Sequence, residues 1–199
     1  MIRVVGGKYK RRQLDQPPSS ITRPTKDVAK EGLFSSLGDI SKCSFLDLFS
    51  GSGAIGIEAY SRGANPVYLN EMNKEALNVI KSNLNKLDIS DDVKVINKDY
   101  KDALKHFESN KFTFDIIFLD PPYKLLIDEE FINSILSYNI LNKDGMIIAE
   151  TDYNLENKLL EKYNVKILKY GRSLMNIIRG IKWKSQSIQE VLIQLQTDT

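Results

Sequence analysis

Apolar positions along the chain alternate between two periods. Phe45-Leu-Asp-Leu-Phe49, Val67-Tyr-Leu69, Val93-Lys-Val-Ile96, Phe114-Asp-Ile-Ile-Phe-Leu119 and Met146-Ile-Ile-Ala149 are short, nearly continuous apolar runs. Such runs predict strands buried on both faces. Helical spacing takes over between them, most clearly at Ala76, Ile80, Leu84 and Leu87 in a predicted helix from Lys74 to Leu87. Further helices are predicted from Ala54 to Arg62, around His106, from Glu129 to Leu136 and from Leu155 to Tyr163. Two last strands, Val165–Leu168 and Leu174–Ile178, flank a turn at Gly171 too short for a crossover, so they pair antiparallel. Strands alternating with helices predict a Rossmann-like α/β fold, a mostly parallel sheet covered on both faces with an antiparallel last strand. Ahead of it, Met1 to Leu14 reads as a small β-hairpin turning at Gly6-Gly7. A helix follows from an N-cap at Thr25 to Leu37, with Val28, Leu33 and Leu37 on its expected buried side and Gly38 closing it.

Composition adds boundaries. A chain of 199 residues with 42% hydrophobic and 27% charged residues has ordinary globular composition. One cysteine and one histidine cannot build a Cys/His zinc cluster or an internal disulfide. No apolar run is long enough for a membrane span, and the expected protein is a cytoplasmic monomer without membrane contact. The net charge of +2 hides a polarity. Residues 1–30 hold eight basic residues (Arg3, Lys8, Lys10, Arg11, Arg12, Arg23, Lys26 and Lys30) against Asp15 and Asp27, so the remainder is net acidic. A basic arm on an acidic body suits a polyanionic partner; charge alone equally allows a solvated basic face.

The stretch Asp47-Leu-Phe-Ser-Gly51-Ser-Gly53-Ala-Ile-Gly56, between a strand and a helix, contains G-x-G-x-x-G, with Glu71 about twenty residues on. That spacing formally matches a dinucleotide turn. A pyrophosphate brought to this turn would meet the Asp47 carboxylate and be repelled. S-adenosylmethionine has no phosphate and carries a sulfonium and an α-ammonium, so the same acid attracts it, and the glycines let the backbone approach closely. Glu71 can accept ribose hydroxyls for either ligand. Asp99, just past the third strand, is placed to accept from an adenine amine. Phe49, Met72 and Tyr100 flank these positions and complete the expected cofactor set.

Asp120-Pro121-Pro122-Tyr123 ends the fourth strand, at the carboxyl edge where parallel sheets bind ligands. An exocyclic base amine is a poor nucleophile because its lone pair is delocalised into the ring. An Asp120 oxygen and the Pro121 carbonyl accepting its two N–H bonds would favour a tetrahedral nitrogen facing a methyl donor. The two prolines fix the backbone and offer no competing N–H. Tyr123 supplies a flat face for an extruded base. Cys43 lies ahead of the first strand, away from this turn, and reads as a small buried apolar residue. His106 reads as a surface residue.

Together these motifs resemble the class I S-adenosylmethionine-dependent methyltransferases. Arg3-Val-Val-Gly-Gly7 with its basic hairpin, Arg23-Pro-Thr25, and Asp27, Glu31 and Leu33-Phe34 further resemble the 16S ribosomal RNA (guanine(966)-N2)-methyltransferases. The resemblance runs from Met1 to about Arg179. It implies a seven-stranded sheet, transfer of one methyl to a guanine N2 amine, and a substrate presented in an assembling small ribosomal subunit. It also implies that Lys8, Lys10, Arg11, Arg12, Arg23 and Thr25 lie against RNA. The expected division is a basic RNA-facing extension over 1–40, a methyltransferase domain over 41–180 and a tail over 181–199. Val28 departs from the family's frequent basic residue, and the tail, with Ile188, Val191, Leu192 and Leu195 at helical spacing, runs past the family's usual end. Three rivals stay open from residues alone: an adenine-N6 DNA methyltransferase, an NAD-dependent oxidoreductase, and a non-catalytic RNA-binding module.

Overall fold

The structure, a computed structural model, describes residues 2–18, 27–122, 125–155 and 157–181. Residues 182–199 of the predicted tail and the Arg23-Pro-Thr25 segment lie outside them, while Ile181 ends the last strand. A two-stranded antiparallel piece, β1 (Ile2–Arg3) and β2 (Gln13–Leu14), precedes α1 (Asp27–Leu37). Then follow β3 (Phe45–Asp47), α2 (Ala54–Ser61), β4 (Val67–Asn70), α3 (Lys74–Leu87), β5 (Val93–Ile96), α4 (Tyr100–Ser109) and β6 (Phe114–Leu119). The chain closes with α5 (Glu129–Leu136), β7 (Leu141–Thr151), α6 (Asn157–Lys162), β8 (Tyr163–Tyr170) and β9 (Ser173–Ile181).

The seven-stranded sheet has the order β5-β4-β3-β6-β7-β9-β8. Only β9 runs against its neighbours, inserted between β7 and β8. The expected Rossmann-like sheet with an antiparallel last strand is therefore present, with helices on both faces. The strands are apolar throughout because alternate residues feed two cores. Phe45, Leu69, Ile116, Phe118 and Ile148 join α1, α2 and α3 on one face. Leu46, Leu48, Ile117, Leu119 and Ile147 join α4, α5 and α6 on the other, where Phe107 packs edge-on against Phe114 with ring centres 5.0 Å apart.

The hairpin differs from its prediction. Its paired strands are two residues each, and the chain reverses over Gly7 to Arg11 rather than at Gly6-Gly7. Val4 N–H donates to the Arg12 carbonyl (2.9 Å) and Arg11 N–H to that of Val4 (2.8 Å), while Arg11 takes a left-handed φ of 72°. The body holds it closely. Val5 N–H donates to Glu58 Oε2 (2.7 Å), Lys8 N–H to the Ser61 carbonyl (2.7 Å), and the buried Lys30 ammonium to the Arg3 carbonyl. Ile2, Val4, Leu14, Leu33 and Phe34 share the core of one sheet face. Val28 does not: it is 69% exposed, and Ala29, Lys30, Leu33 and Phe34 form the buried side of α1. The helical stripe is displaced because Lys30, paired with Asp27 and facing Glu58, turns inward. Cys43 is half-buried rather than buried, and burial raises its thiol pKa. The last helix ends one residue earlier than predicted, at Lys162, because Tyr163 belongs to β8.

Candidate active site and nucleic-acid face

Register places the candidate residues along one carboxyl edge. Asp47 of β3 is level with Leu69 of β4 and Phe118 of β6, and Asn70 of β4 with Ile96 of β5. Glu71 and Asp120 therefore come two residues beyond that level, each one residue past the end of a strand flanking Asp47. With strands about 4.8 Å apart and a rise of about 3.3 Å per residue, they stand roughly 7 Å above it and roughly 10 Å from each other. The ends of β5 and β6 are about 14 Å apart by the same spacing. Neighbouring β3 and β6 are the point where strand order reverses, and the Leu48 N–H bonds the Phe118 carbonyl there (3.1 Å).

The turn after β3 is built by backbone geometry and two acids. Gly51 and Gly53 take left-handed φ values of 54° and 78°, and Gly53 starts α2 without a side-chain cap. Asp47 supplies the missing acceptor, taking the Gly56 N–H on Oδ2 (3.3 Å). This satisfies one of the orphan donors in the first turn of α2. A Cβ at Gly56 would lie 2.1 Å from Leu69 Cδ2, so the helix sits against β4 at a distance only glycine allows. Glu71 fixes the turn from the other side, accepting from Gly51 N–H (2.8 Å) and Asn73 N–H (2.7 Å). A carboxylate has about four acceptor directions, so capacity for a ligand remains.

Asp47 is the electrostatic centre of the edge. It is 1% exposed, and its Oδ1 has no hydrogen-bond partner among the described residues. Loss of hydration pushes its pKa up to about 7; the amides of Gly56 and Phe49 act against this rise and the Glu71 charge adds to it. A buried, unsatisfied carboxylate oxygen is costly by itself, and a cationic ligand group would satisfy it. The α-ammonium of S-adenosylmethionine, a donor, fits this set of acceptors, whereas a pyrophosphate would bring more negative charge to an edge already holding Asp47, Glu71, Asp99 and Asp120.

The remaining predicted cofactor residues lie along the same edge. Asp99 caps α4, accepting the Lys101 N–H on Oδ1 (2.9 Å). Phe49 and Tyr100 pack with ring centres 5.5 Å apart and planes tilted by 43°, and Tyr100 continues onto Phe131 (5.8 Å). Met72 is 63% exposed beside Glu71. At the end of β6, Asp120 and Pro121 are half-buried and Pro122 is exposed. The Pro122 carbonyl is engaged by the Leu125 N–H (2.9 Å), which singles out Pro121 as the prolyl acceptor to consider. Tyr123 lies outside the described residues. His106 is half-buried and faces Asn110 and Phe107.

Two residues of this site were missed in the sequence. Asn70 donates to the Leu48 (3.1 Å) and Lys98 (3.2 Å) carbonyls, stitching the ends of β3 and β5 across β4. Asn83, fully buried on α3, donates to the Ser52 carbonyl inside the glycine turn (3.0 Å). Asn70 is a polar residue closing an otherwise apolar strand, a signal that was available; Asn83 lies among the many polar residues of an amphipathic helix and gave no such signal.

Of the predicted nucleic-acid residues, Lys8, Lys10, Arg11 and Arg12 are all exposed on the hairpin. Lys8 lies over the Tyr9 ring (5.1 Å), Tyr9 stacks on Tyr60 (6.1 Å), and Arg12 donates to the Lys86 carbonyl (3.1 Å). Arg23 and Thr25 lie outside the described residues.

Comparison with known proteins agrees with this geometry. The family described as conserved hypothetical protein 95 matches residues 2–179. The ribosomal RNA small subunit methyltransferase D of Buchnera aphidicola (subsp. Baizongia pistaciae) is 38% identical over 178 residues, 88% of either chain. The protein of the same name from Haemophilus influenzae is 37% identical over 76% of this chain and 79% of its own. Among solved structures, a conserved hypothetical protein of Streptococcus pyogenes superposes with a TM-score of 0.67 at 28% identity, covering 76% of this chain and 95% of that one. A Thermus thermophilus protein shares the fold at a TM-score of 0.76 and 23% identity, over 90% of this chain and all of that one. The resemblance drawn from the motifs is borne out: the chain belongs to the conserved hypothetical protein 95 family, and the two relatives above carry the name ribosomal RNA small subunit methyltransferase D.

Proposed function

We infer that the protein is an S-adenosylmethionine-dependent methyltransferase acting on the exocyclic N2 amine of one guanine in 16S ribosomal RNA. One observation carries the chemistry: the unsatisfied, buried Asp47 oxygen under a left-handed glycine turn lies one strand away from Asp120-Pro121 at the switch point of the sheet. When bound, S-adenosylmethionine supplies an electrophilic methyl carbon on a neutral-leaving sulfur.

This chain's residues provide the rest. Asp47 and Glu71 hold the cofactor with Phe49, Gly51, Gly53, Met72, Asp99 and Tyr100. Asp120 and the Pro121 carbonyl accept the two amine N–H bonds and aim the nitrogen lone pair. Pro122 stiffens the turn, and Tyr123 stacks the extruded base. As the amine gains its methyl group, the half-buried Asp120 carboxylate would take the surplus proton from the nitrogen and pass it to solvent. Rate comes mainly from alignment, for which effective molarities on the order of 10⁵ M are available.

The exposed cations Lys8, Lys10, Arg11 and Arg12, with Arg23 and Thr25, dock the RNA. In this reading residues 1–40 form the RNA-facing extension, 41–180 the methyltransferase domain and 181–199 a tail. The protein acts as a cytoplasmic monomer on an assembling small subunit. Among the described residues no helix is long and apolar enough to cross a membrane.

The relatives' names favour RNA over duplex DNA, and the acidic edge disfavours a nicotinamide dinucleotide. Transfer of labelled methyl from S-adenosylmethionine to ribosomal RNA, analysed by nucleoside chromatography, tests the reading. Label in N2-methylguanosine supports it. Label in N6-methyladenine of duplex DNA, or nicotinamide binding without S-adenosylhomocysteine binding, overturns it.

A further inference from the structure

The basic hairpin and the cofactor turn belong to different parts of the chain, yet one side chain bonds both. Asn83 is fully buried on α3. Its Oδ1 accepts from Asp15 N–H (2.7 Å), and its Nδ2 donates to the Asp15 (3.1 Å) and Ser52 (3.0 Å) carbonyls. Asp15 directly follows β2, and Ser52 lies between the two left-handed glycines. The Asp15 side chain adds exposed contacts to the same helix, accepting from Ser82 Oγ (3.0 Å) and Lys86 Nζ, while Arg12 reaches the Lys86 carbonyl (3.1 Å).

We propose that Asn83 is a positioning residue that couples RNA docking on the hairpin to cofactor binding at the glycine turn, so that each ligand tightens the other. The physical ground is shared ordering. A ligand at the turn fixes the Ser52 peptide, hence the Asn83 amide, hence the Asp15 backbone from which the hairpin emerges. A second ligand then meets a segment already ordered and loses less conformational entropy on binding. The coupling is reciprocal by thermodynamic necessity. It rests on the proposed function, because that reading places RNA and cofactor at these two ends.

The test is a pair of titrations on the full chain, with S-adenosylhomocysteine added to protein alone and to protein saturated with transcribed 16S ribosomal RNA. The expected ratio of the two dissociation constants is at least about 5, the lower end of ordinary allosteric coupling. Asn83→Leu, similar in volume and unable to make any of the three bonds, brings the ratio close to 1. Asp15→Pro attacks the clamp from its exposed side by removing the N–H that Asn83 accepts, and lowers the ratio even if the core variant does not fold. Asp15→Ala keeps the main-chain clamp and keeps the ratio. A merely structural Asn83 would lower stability without moving the ratio. If both ligands bind the wild-type protein and the ratio is 1, or if Asp15→Pro leaves it unchanged, the coupling is wrong and the proposed function stands. If S-adenosylhomocysteine does not bind at all, or if neither the transcript nor a small-subunit particle binds, both fall together.

Discussion

Replacing Asp47 with Asn should make the empty protein relatively more stable toward alkaline pH while weakening its grip on the cofactor. The folded-state pKa of this carboxyl is raised to about 7 from 3.8, so the folded state holds a proton that the unfolded state has released across that window. Its contribution to stability is full below the unfolded value and is lost as pH rises through the folded one. Integrating that difference between about pH 5 and about pH 8 gives a loss of about 2–3 kcal/mol from this group. For a chain of this length the loss corresponds to roughly 5–10 °C in melting temperature. An Asn at 47 does not titrate, while every other group titrates in both proteins and cancels in the difference. Thermal melts of the two proteins at a series of pH values therefore read the term directly. The melting-temperature gap should move in the variant's favour by that amount as pH rises. S-adenosylhomocysteine should bind the variant roughly 10- to 100-fold more weakly, the worth of one hydrogen bond to a charged group. A gap that stays constant with pH would refute the assignment of a buried, ligand-awaiting carboxyl at 47.

Asp120→Ala should reduce methyl transfer at least about 10²-fold, as loss of one transition-state hydrogen-bond partner does elsewhere, with S-adenosylhomocysteine affinity by calorimetry little changed. Asp120→Asn, which keeps one acceptor oxygen, should recover part of the rate. Arg11→Ala with Arg12→Ala should weaken RNA binding and flatten its salt dependence by about 1.4 in the log–log slope, two phosphate contacts at about 0.7 each; an unchanged slope would mean the hairpin does not meet phosphate. Gly56→Ala forces a Cβ to 2.1 Å from Leu69 Cδ2, and denaturant unfolding should show a loss of about 1–3 kcal/mol, the usual cost of overpacking.

The sheet was legible because its strands carry their burial in composition. Phe45 to Phe49 and Phe114 to Leu119 feed cores on both faces, and their aromatic and branched residues between turn signals favour strand over a short buried helix. The carboxyl-edge site followed, since Asp47, Glu71, Asp99 and Asp120 each come just after or at the end of a strand. Long-range polar satisfaction was not legible. Lys30 turns into the core because Asp27, the Arg3 carbonyl and the charge of Glu58 await it there, and that inward turn put Val28 on the outside. Asn83 looked like one more polar residue on an amphipathic helix until Asp15 and Ser52, distant in sequence, were found bonded to it. Tight pairing was also hidden: Gly6-Gly7 suggested a two-residue turn, but the amides that Glu58 and Ser61 engage hold the chain open to Arg11.

The most direct measurement is mass spectrometry of nucleosides from 16S ribosomal RNA of cells that lack this protein, compared with cells given back the wild-type or the Asp120→Ala chain. One N2-methylguanosine should disappear on deletion, return with the wild-type protein and stay absent with the variant. An unaltered N2-methylguanosine content after deletion, or full restoration by Asp120→Ala, would contradict methyl transfer by this edge of the sheet.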